Sequence, residues 1–93
     1  MELKKLRNEI DEIDNQLVSL FVRRMAIAAQ VAEYKRAHGL PVHIPEREQI
    51  ILQSIGEKAT PELSVYAKEL YGTIFRVSRE YQTSLMNHDE VIK

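Results

Sequence analysis

The sequence predicts an all-α fold of three helices, one long, one short and one long, paired as a homodimer. The first observation is a seam: Leu3, Leu6, Ile10, Ile13, Leu17, Leu20, Arg24, Ile27, Val31 and Tyr34 keep a 3-4 alternation over more than four heptads. Such a seam signals one long packed helix. The second is a pair of further helical stripes, opened by Pro45 and Pro61 at positions where a first turn tolerates proline. The third is size. A helix of about 35 residues is ~50 Å long, whereas a compact chain of this length has a radius of gyration near ~12 Å. The first helix overshoots any globule its own chain can form, so a second chain must cover the seam, and a homodimer does so most economically.

The elements follow in order within one domain, residues 1–93. The first helix is expected over residues 2–37, because Gly39 offers a left-handed cap and Pro41 prevents continuation. A short linker, "GLPVHIP", leads to a second helix over 45–57, with Ile44, Ile51 and Ile55 on one face and Gly56 weakening its end. Thr60 then reads as an N-cap, with Pro61 at N1 and Glu62 favourable in the first turn of a third helix over 61–86. Its apolar stripe is Leu63, Tyr66, Leu70, Ile74, Val77 and Tyr81, and the tail "NHDEVIK" is expected to fray. No strand pattern, domain-sized repeat or low-complexity tract interrupts this reading.

Composition excludes several classes of function. The net charge of −1, with 44% hydrophobic and 29% charged residues, exerts no global pull on nucleic acid or anionic membranes. Any anion site must be local. The absence of cysteine removes disulfides and thiol chemistry and fits a reducing compartment, so a cytoplasmic location is expected. The charged, helical opening "MELKKLRNEIDEID" lacks the apolar core of a signal peptide, and no apolar run approaches the ~20 residues that span a bilayer.

Several polar residues stand where the helices want apolar ones. Arg24 occupies an a position of the seam, and burying an unpaired guanidinium costs several kcal/mol. Lys35 lies eleven residues on and projects from nearly the same side, with Ala28 and Val31 as a smooth floor between. Arg47 and Glu48 stand at the front of the second helix's apolar face, and Ser78 and Gln82 form an i, i+4 pair beside Val77 and Tyr81. Taken singly, each has an ordinary explanation as a register device, a snorkelling side chain, surface charge or a satisfied core polar group. Together, on separate helices, they describe a pocket of several cations, one carboxylate and neutral hydrogen-bonders. That set suits a small polyanion carrying a hydroxyl. Arg7 and Lys35 share the e position but lie about 42 Å apart on one helix. In an antiparallel dimer, with its axis crossing near Leu17 to Ser19, Arg7 of one chain can reach the partner's Arg24–Lys35 region; taken singly, Arg7 has the ordinary reading of surface charge.

Other chemistries find little support. His38, His43 and His88 lack metal-ligand spacing. No phosphate-binding glycine motif is present, Ser/His/Asp candidates are scattered, and basic residues are interspersed with acids rather than striped. Neither a metal nor a cofactor is expected, and neither nucleic acid nor a membrane is an expected partner.

The pattern "LRNEIDEIDNQLVSLFVRRMAIAAQVAEYK … PVHIPEREQIIL", with the later Ser78-x-x-x-Gln82, closely resembles the all-helical (type II) chorismate mutases over nearly the whole chain. The shared features are the Leu-Arg-x-x-Ile-Asp-x-Ile-Asp opening, the Arg23–Arg24 pair, Lys35 eleven residues later and the Pro-Glu-Arg-Glu start of the second helix. The resemblance implies an intertwined dimer with two equivalent sites that rearrange chorismate, a small dianion, to prephenate in aromatic amino-acid biosynthesis. Carried over position by position, Arg24 and the partner's Arg7 hold the carboxylates. Lys35 and Gln82 address the ether oxygen, and Glu48 takes the ring hydroxyl. Arg47 supports that end, Ser78 assists at a carboxylate, and Val31 and Phe75 form apolar walls. Lys35, Gln82 and Arg24 are thus the expected catalytic residues. One departure is Ile44, where many members carry an Asp four residues before the Glu. Two rivals stand beside this reading: an isochorismate–pyruvate lyase on the same fold, and a non-catalytic helical dimerisation module.

Overall fold

The computed structural model describes residues 2–92, with side chains described over 2–87. Three helices run in order, α1 (Glu2–Ala37), α2 (Pro45–Lys58) and α3 (Ser64–Ile92), and the described residues contain no strand. α1 ends as its glycine predicts. Gly39 takes φ +66°, its N–H reaches Arg36 O at 3.4 Å, and Leu40 N–H reaches Lys35 O at 2.8 Å. These are the paired bonds of a Schellman cap, which satisfy carbonyls that the end of the helix would otherwise leave without partners.

Only the C-terminal part of α1 packs within the chain. Ala28 and Ala32, 7% and 2% exposed, lie against α3, whose Phe75 is 5% exposed. Alanine there lets the two helix axes approach closely. Towards the N-terminus the seam is bare: every described residue from 2 to 23 is exposed, and Leu6, Ile10, Ile13 and Leu17 each show more than half of their surface. The chain is accordingly extended, 58 × 28 × 14 Å with a radius of gyration of 16.8 Å, well above the ~12 Å of a compact chain of this length.

α2 opens on Pro45 at its first turn, preceded by Ile44 in an extended conformation without a side-chain cap; the Arg47 and Glu48 N–H groups point to the Ile44 carbonyl at 3.2 and 3.3 Å. The helix runs one residue beyond the expected 57 and packs on α3. Gly56 lies where α2 meets α3: an added Cβ would displace the flexible end of the Lys68 side chain and stand near the Ser64 hydroxyl.

α3 departs from the sequence expectation in three ways. It begins at Ser64 rather than 61, because residues 61–63 form a turn closed by Leu63 N–H to Thr60 O at 2.9 Å. The helical ladder then starts with Ala67 N–H to Leu63 O at 2.8 Å, which makes Leu63 the capping residue and leaves Thr60 one turn too early. The helix also continues to Ile92, beyond the expected end near Met86. Lys93 lies outside the described residues. Finally, the face buried within the chain is not the apolar stripe. Leu63, Tyr66 and Leu70 are each more than half exposed, whereas Ser78 and Gln82 are 7% and 6% exposed beside Phe75.

Candidate functional site

The most polar shoulder of α3 faces the C-terminal part of α1 and the start of α2, and the three helices line a concave site of about 350 Å³. Each contributes at helical spacing. α1 supplies Arg24, Ala28, Val31 and Lys35, a line of i, i+4, i+7 and i+11 along one side. α2 supplies Arg47, Glu48 and Ile51 from its first two turns, and α3 supplies Phe75, Ser78 and Gln82. Of the residues that the sequence marks, eight therefore share this cavity: Arg24, Val31, Lys35, Arg47, Glu48, Phe75, Ser78 and Gln82. Arg7 does not join them; it lies on the exposed N-terminal part of α1, about 25 Å of helix from Arg24.

The positive groups are held by the fold in different ways. The Arg24 guanidinium sits 6.0 Å from the Tyr71 ring centroid and 5.9 Å from that of Phe75, at the outer range of cation–π attraction. Among the described residues it faces rings rather than a carboxylate, so its charge is available to an anion in the cavity. Lys35 donates through Nζ to the Val42 carbonyl at 2.8 Å. Its own carbonyl accepts the Leu40 N–H of the helix cap, so Lys35 anchors the α1–α2 loop at both ends. Burial pushes the Lys35 pKa below that of a free lysine, and the negative charge of Glu48 offsets part of that shift.

The neutral pair lies deepest. Gln82 Nε2 donates to Ser78 Oγ at 3.0 Å, while Gln82 Oε1 is buried with no hydrogen-bond partner. A buried amide oxygen left unpaired is costly. The two orientations of the amide are nearly isosteric. Turned by half a rotation, Oε1 accepts from the Ser78 hydroxyl, and Nε2 presents its donors to whatever occupies the cavity.

Arg79 is the residue that sequence reasoning missed. Its Nη1 donates to both oxygens of Glu48, at 2.7 and 2.6 Å, and the guanidinium lines the cavity. His43 Nε2 approaches the same carboxylate at 3.7 Å. Two signals could have raised Arg79: it adjoins Ser78 and lies three residues before Gln82, on the shoulder already singled out. Its partner stands 31 residues away on another helix, beyond the reach of spacing arguments. Ile44 also lines the cavity, so the usual Asp is replaced here by an apolar contact.

Among the described residues no group of three or more His, Asp or Glu is placed to hold a metal ion, and no helix is long and apolar enough to cross a membrane. What the cavity offers is hydrogen bonding and positive charge around one carboxylate. It holds no nucleophile activated by a neighbouring base.

Comparison with known proteins agrees in one direction. The family model "Chorismate mutase type II" matches residues 6–83. A T-protein of Enterobacter agglomerans is 39% identical over 83 residues, covering 89% of this chain and 22% of that protein. A chorismate mutase of Methanocaldococcus jannaschii is 43% identical over 54 residues, 58% of this chain and 54% of that protein. A 4-amino-4-deoxychorismate mutase of Streptomyces venezuelae is 36% identical over 50 residues, 54% of this chain and 48% of that protein. The chain thus spans about a fifth of the T-protein and about half of the two shorter relatives.

Proposed function

The chain belongs to the type II chorismate mutase family, and from that premise we propose that it rearranges chorismate to prephenate in aromatic amino-acid biosynthesis, as a homodimer with two shared sites. The observation that carries the reading is the cavity's composition: Arg24, Lys35, Arg47 and Arg79 around a single carboxylate, Glu48, with Ser78 and Gln82 at its floor. Chorismate is a dianion with a ring hydroxyl and an ether bridge, and each of those features finds a complementary group.

The reaction is unimolecular. One C–O bond breaks as one C–C bond forms, with no nucleophile and no obligatory proton transfer, so positioning and electrostatics carry the catalysis. Arg24 holds one carboxylate, with the partner's Arg7 and Ser78 engaging the acidic groups from the other side. The enolpyruvyl arm is thereby folded over the ring in a near-attack geometry, against the apolar walls of Val31 and Phe75. Negative charge grows on the ether oxygen as its bond stretches. Lys35 Nζ and the Gln82 amide stabilise it there, an effect of roughly 3–4 kcal/mol per well-placed donor. Glu48 accepts from the ring hydroxyl, and Arg47 supports that end. Arg24 stands in the seam because a substrate carboxylate completes its coordination.

The bare seam supports the dimer. The exposed Leu6, Ile10, Ile13 and Leu17 need a cover that their own chain does not provide, and an antiparallel partner helix both covers them and carries its Arg7 toward the cavity. A purely structural dimerisation role accounts for that seam, but not for four cations and one carboxylate lining the same cavity. The 4-amino-4-deoxychorismate of one relative's name differs from chorismate at the ring substituent, which makes it the natural competitor substrate. Purified protein should consume chorismate in a spectrophotometric assay, with chorismate, isochorismate and the 4-amino compound tested separately. No turnover of chorismate by the folded protein would overturn the reading.

A further inference from the structure

Resting on the chorismate mutase reading above, we propose that Arg79 makes this cavity select a ring bearing a hydroxyl over the analogue bearing an amine. It acts through Glu48 and is therefore a positioning residue rather than a catalytic one. The geometry is specific. One nitrogen, Nη1, bridges both oxygens of the carboxylate at 2.7 and 2.6 Å, and the two side chains are 30% and 21% exposed. Both residues line the cavity, so this ion pair forms part of the wall that a substrate meets.

The charges around Glu48 decide what it can still receive. Arg79 faces it from α3 and Lys35 from α1, whose ammonium feels the Glu48 charge, while the His43 ring approaches from the loop at 3.7 Å. Arg47 adjoins it on α2, and the cavity position one turn earlier is the apolar Ile44 rather than a second acid. Glu48 is thus already charge-compensated. A neutral hydroxyl donates one hydrogen bond to a remaining lone pair and adds no charge. A protonated amine brings a further cation to a carboxylate that Arg79 already occupies, and no other carboxylate among the described cavity-lining residues can receive it. Like charges brought together in a desolvated site exclude the wrong ligand more effectively than any attraction selects the right one.

The test compares kcat/KM for chorismate and for 4-amino-4-deoxychorismate in the wild type, Arg79→Met and Arg79→Lys. Methionine keeps the length and apolar stem of the side chain without its charge; lysine restores the charge. The wild type should favour chorismate. Arg79→Met should narrow that preference at least about tenfold, chiefly through faster turnover of the amine, and Arg79→Lys should hold it within about threefold of wild type. Should Arg79→Met fail to fold by circular dichroism, Arg79→Gln, which keeps a donor to Glu48 without the charge, carries the same comparison. A merely structural role would lower both substrates in equal proportion. An unchanged ratio in the uncharged variant, with chorismate still turned over by the wild type, overturns this inference and leaves the parent reading intact. Failure of the wild type on chorismate removes both.

Discussion

Gln82 and Ser78, one turn apart on α3, are joined by a 3.0 Å hydrogen bond and are the two most buried polar residues described in the chain. With the amide turned so that the Ser78 hydroxyl donates to Oε1, the pairing anchors that side and aims the Nε2 donors into the cavity. Because a carboxamide donates at any ordinary pH, activity should persist from mildly acidic to mildly alkaline solution. Gln82→Glu converts the donor into one that exists only when protonated, so its kcat should survive in acid and collapse as pH rises. A variant equally active at pH 5 and pH 8 would contradict the role of Gln82 as a donor.

Lys35 offers a test through opposite signs. Its pKa is lowered by burial, with Glu48 pulling the other way, so in the folded protein the ammonium is lost at a lower pH than in the unfolded chain. Between those two values the unfolded state binds more protons, and the Lys35 contribution to stability rises with pH. Activity requires the ammonium and should fall over that same window. The alkaline limb of kcat/KM should move to higher pH in Lys35→Arg, whose charge persists. A limb that stays put would assign it to another group. Lys35→Ala should lower kcat by about 10²-fold or more at every pH, and a kcat within a few-fold of wild type would place Lys35 outside the chemistry.

The exposed seam predicts an obligate dimer. Sedimentation equilibrium at micromolar concentration should return twice the chain mass, and Ile13→Asp should dissociate the protein together with its activity. An aspartate in that seam would have to be buried against an apolar partner face, at a cost of several kcal/mol. A compact, active monomer would remove the need for the partner's Arg7.

Arg7 itself is tested by mixing. Arg7→Ala and Lys35→Ala are each expected to be inactive. With random exchange between equal amounts of subunits, about half of the dimers are mixed, and each mixed dimer has one intact site and one site lacking both residues. Activity should recover to roughly a quarter of wild type. No recovery after exchange has been verified by mass spectrometry of differently labelled subunits would place Arg7 in the site of its own chain, or in none.

Gly39 links stability to the site. Its φ of +66° carries the Schellman cap, and the loop that it begins is pinned by Lys35. Gly39→Ala should cost about 1 kcal/mol of stability, the usual penalty for a side chain in the left-handed region. Because the loop that positions Lys35 Nζ shifts with the cap, KM should rise as well. Thermal denaturation with matched kinetics would read both, and an unchanged Tm would mean that the backbone relaxes freely there.

The sequence by itself determined what depends on neighbours along the chain. Heptad spacing marked α1 as one helix too long for its own globule, and Gly39 with Pro41 marked its end. Arg24, Lys35, Glu48, Ser78 and Gln82 stood out as polar residues on otherwise apolar faces, because a 3.6-residue period places them there whatever the helix packs against. Only the tertiary structure decided how those faces are turned toward one another. A helical period fixes the angle between residues on one helix, not the rotation of that helix against the next. The buried side of α3 therefore proved to be Phe75, Ser78 and Gln82, offset from the stripe of Leu63, Tyr66 and Leu70. The Arg79–Glu48 pair closes over 31 residues, and Gly56 of α2 meets Lys68 and Ser64 of α3. Such contacts between helices leave no periodic trace in the sequence.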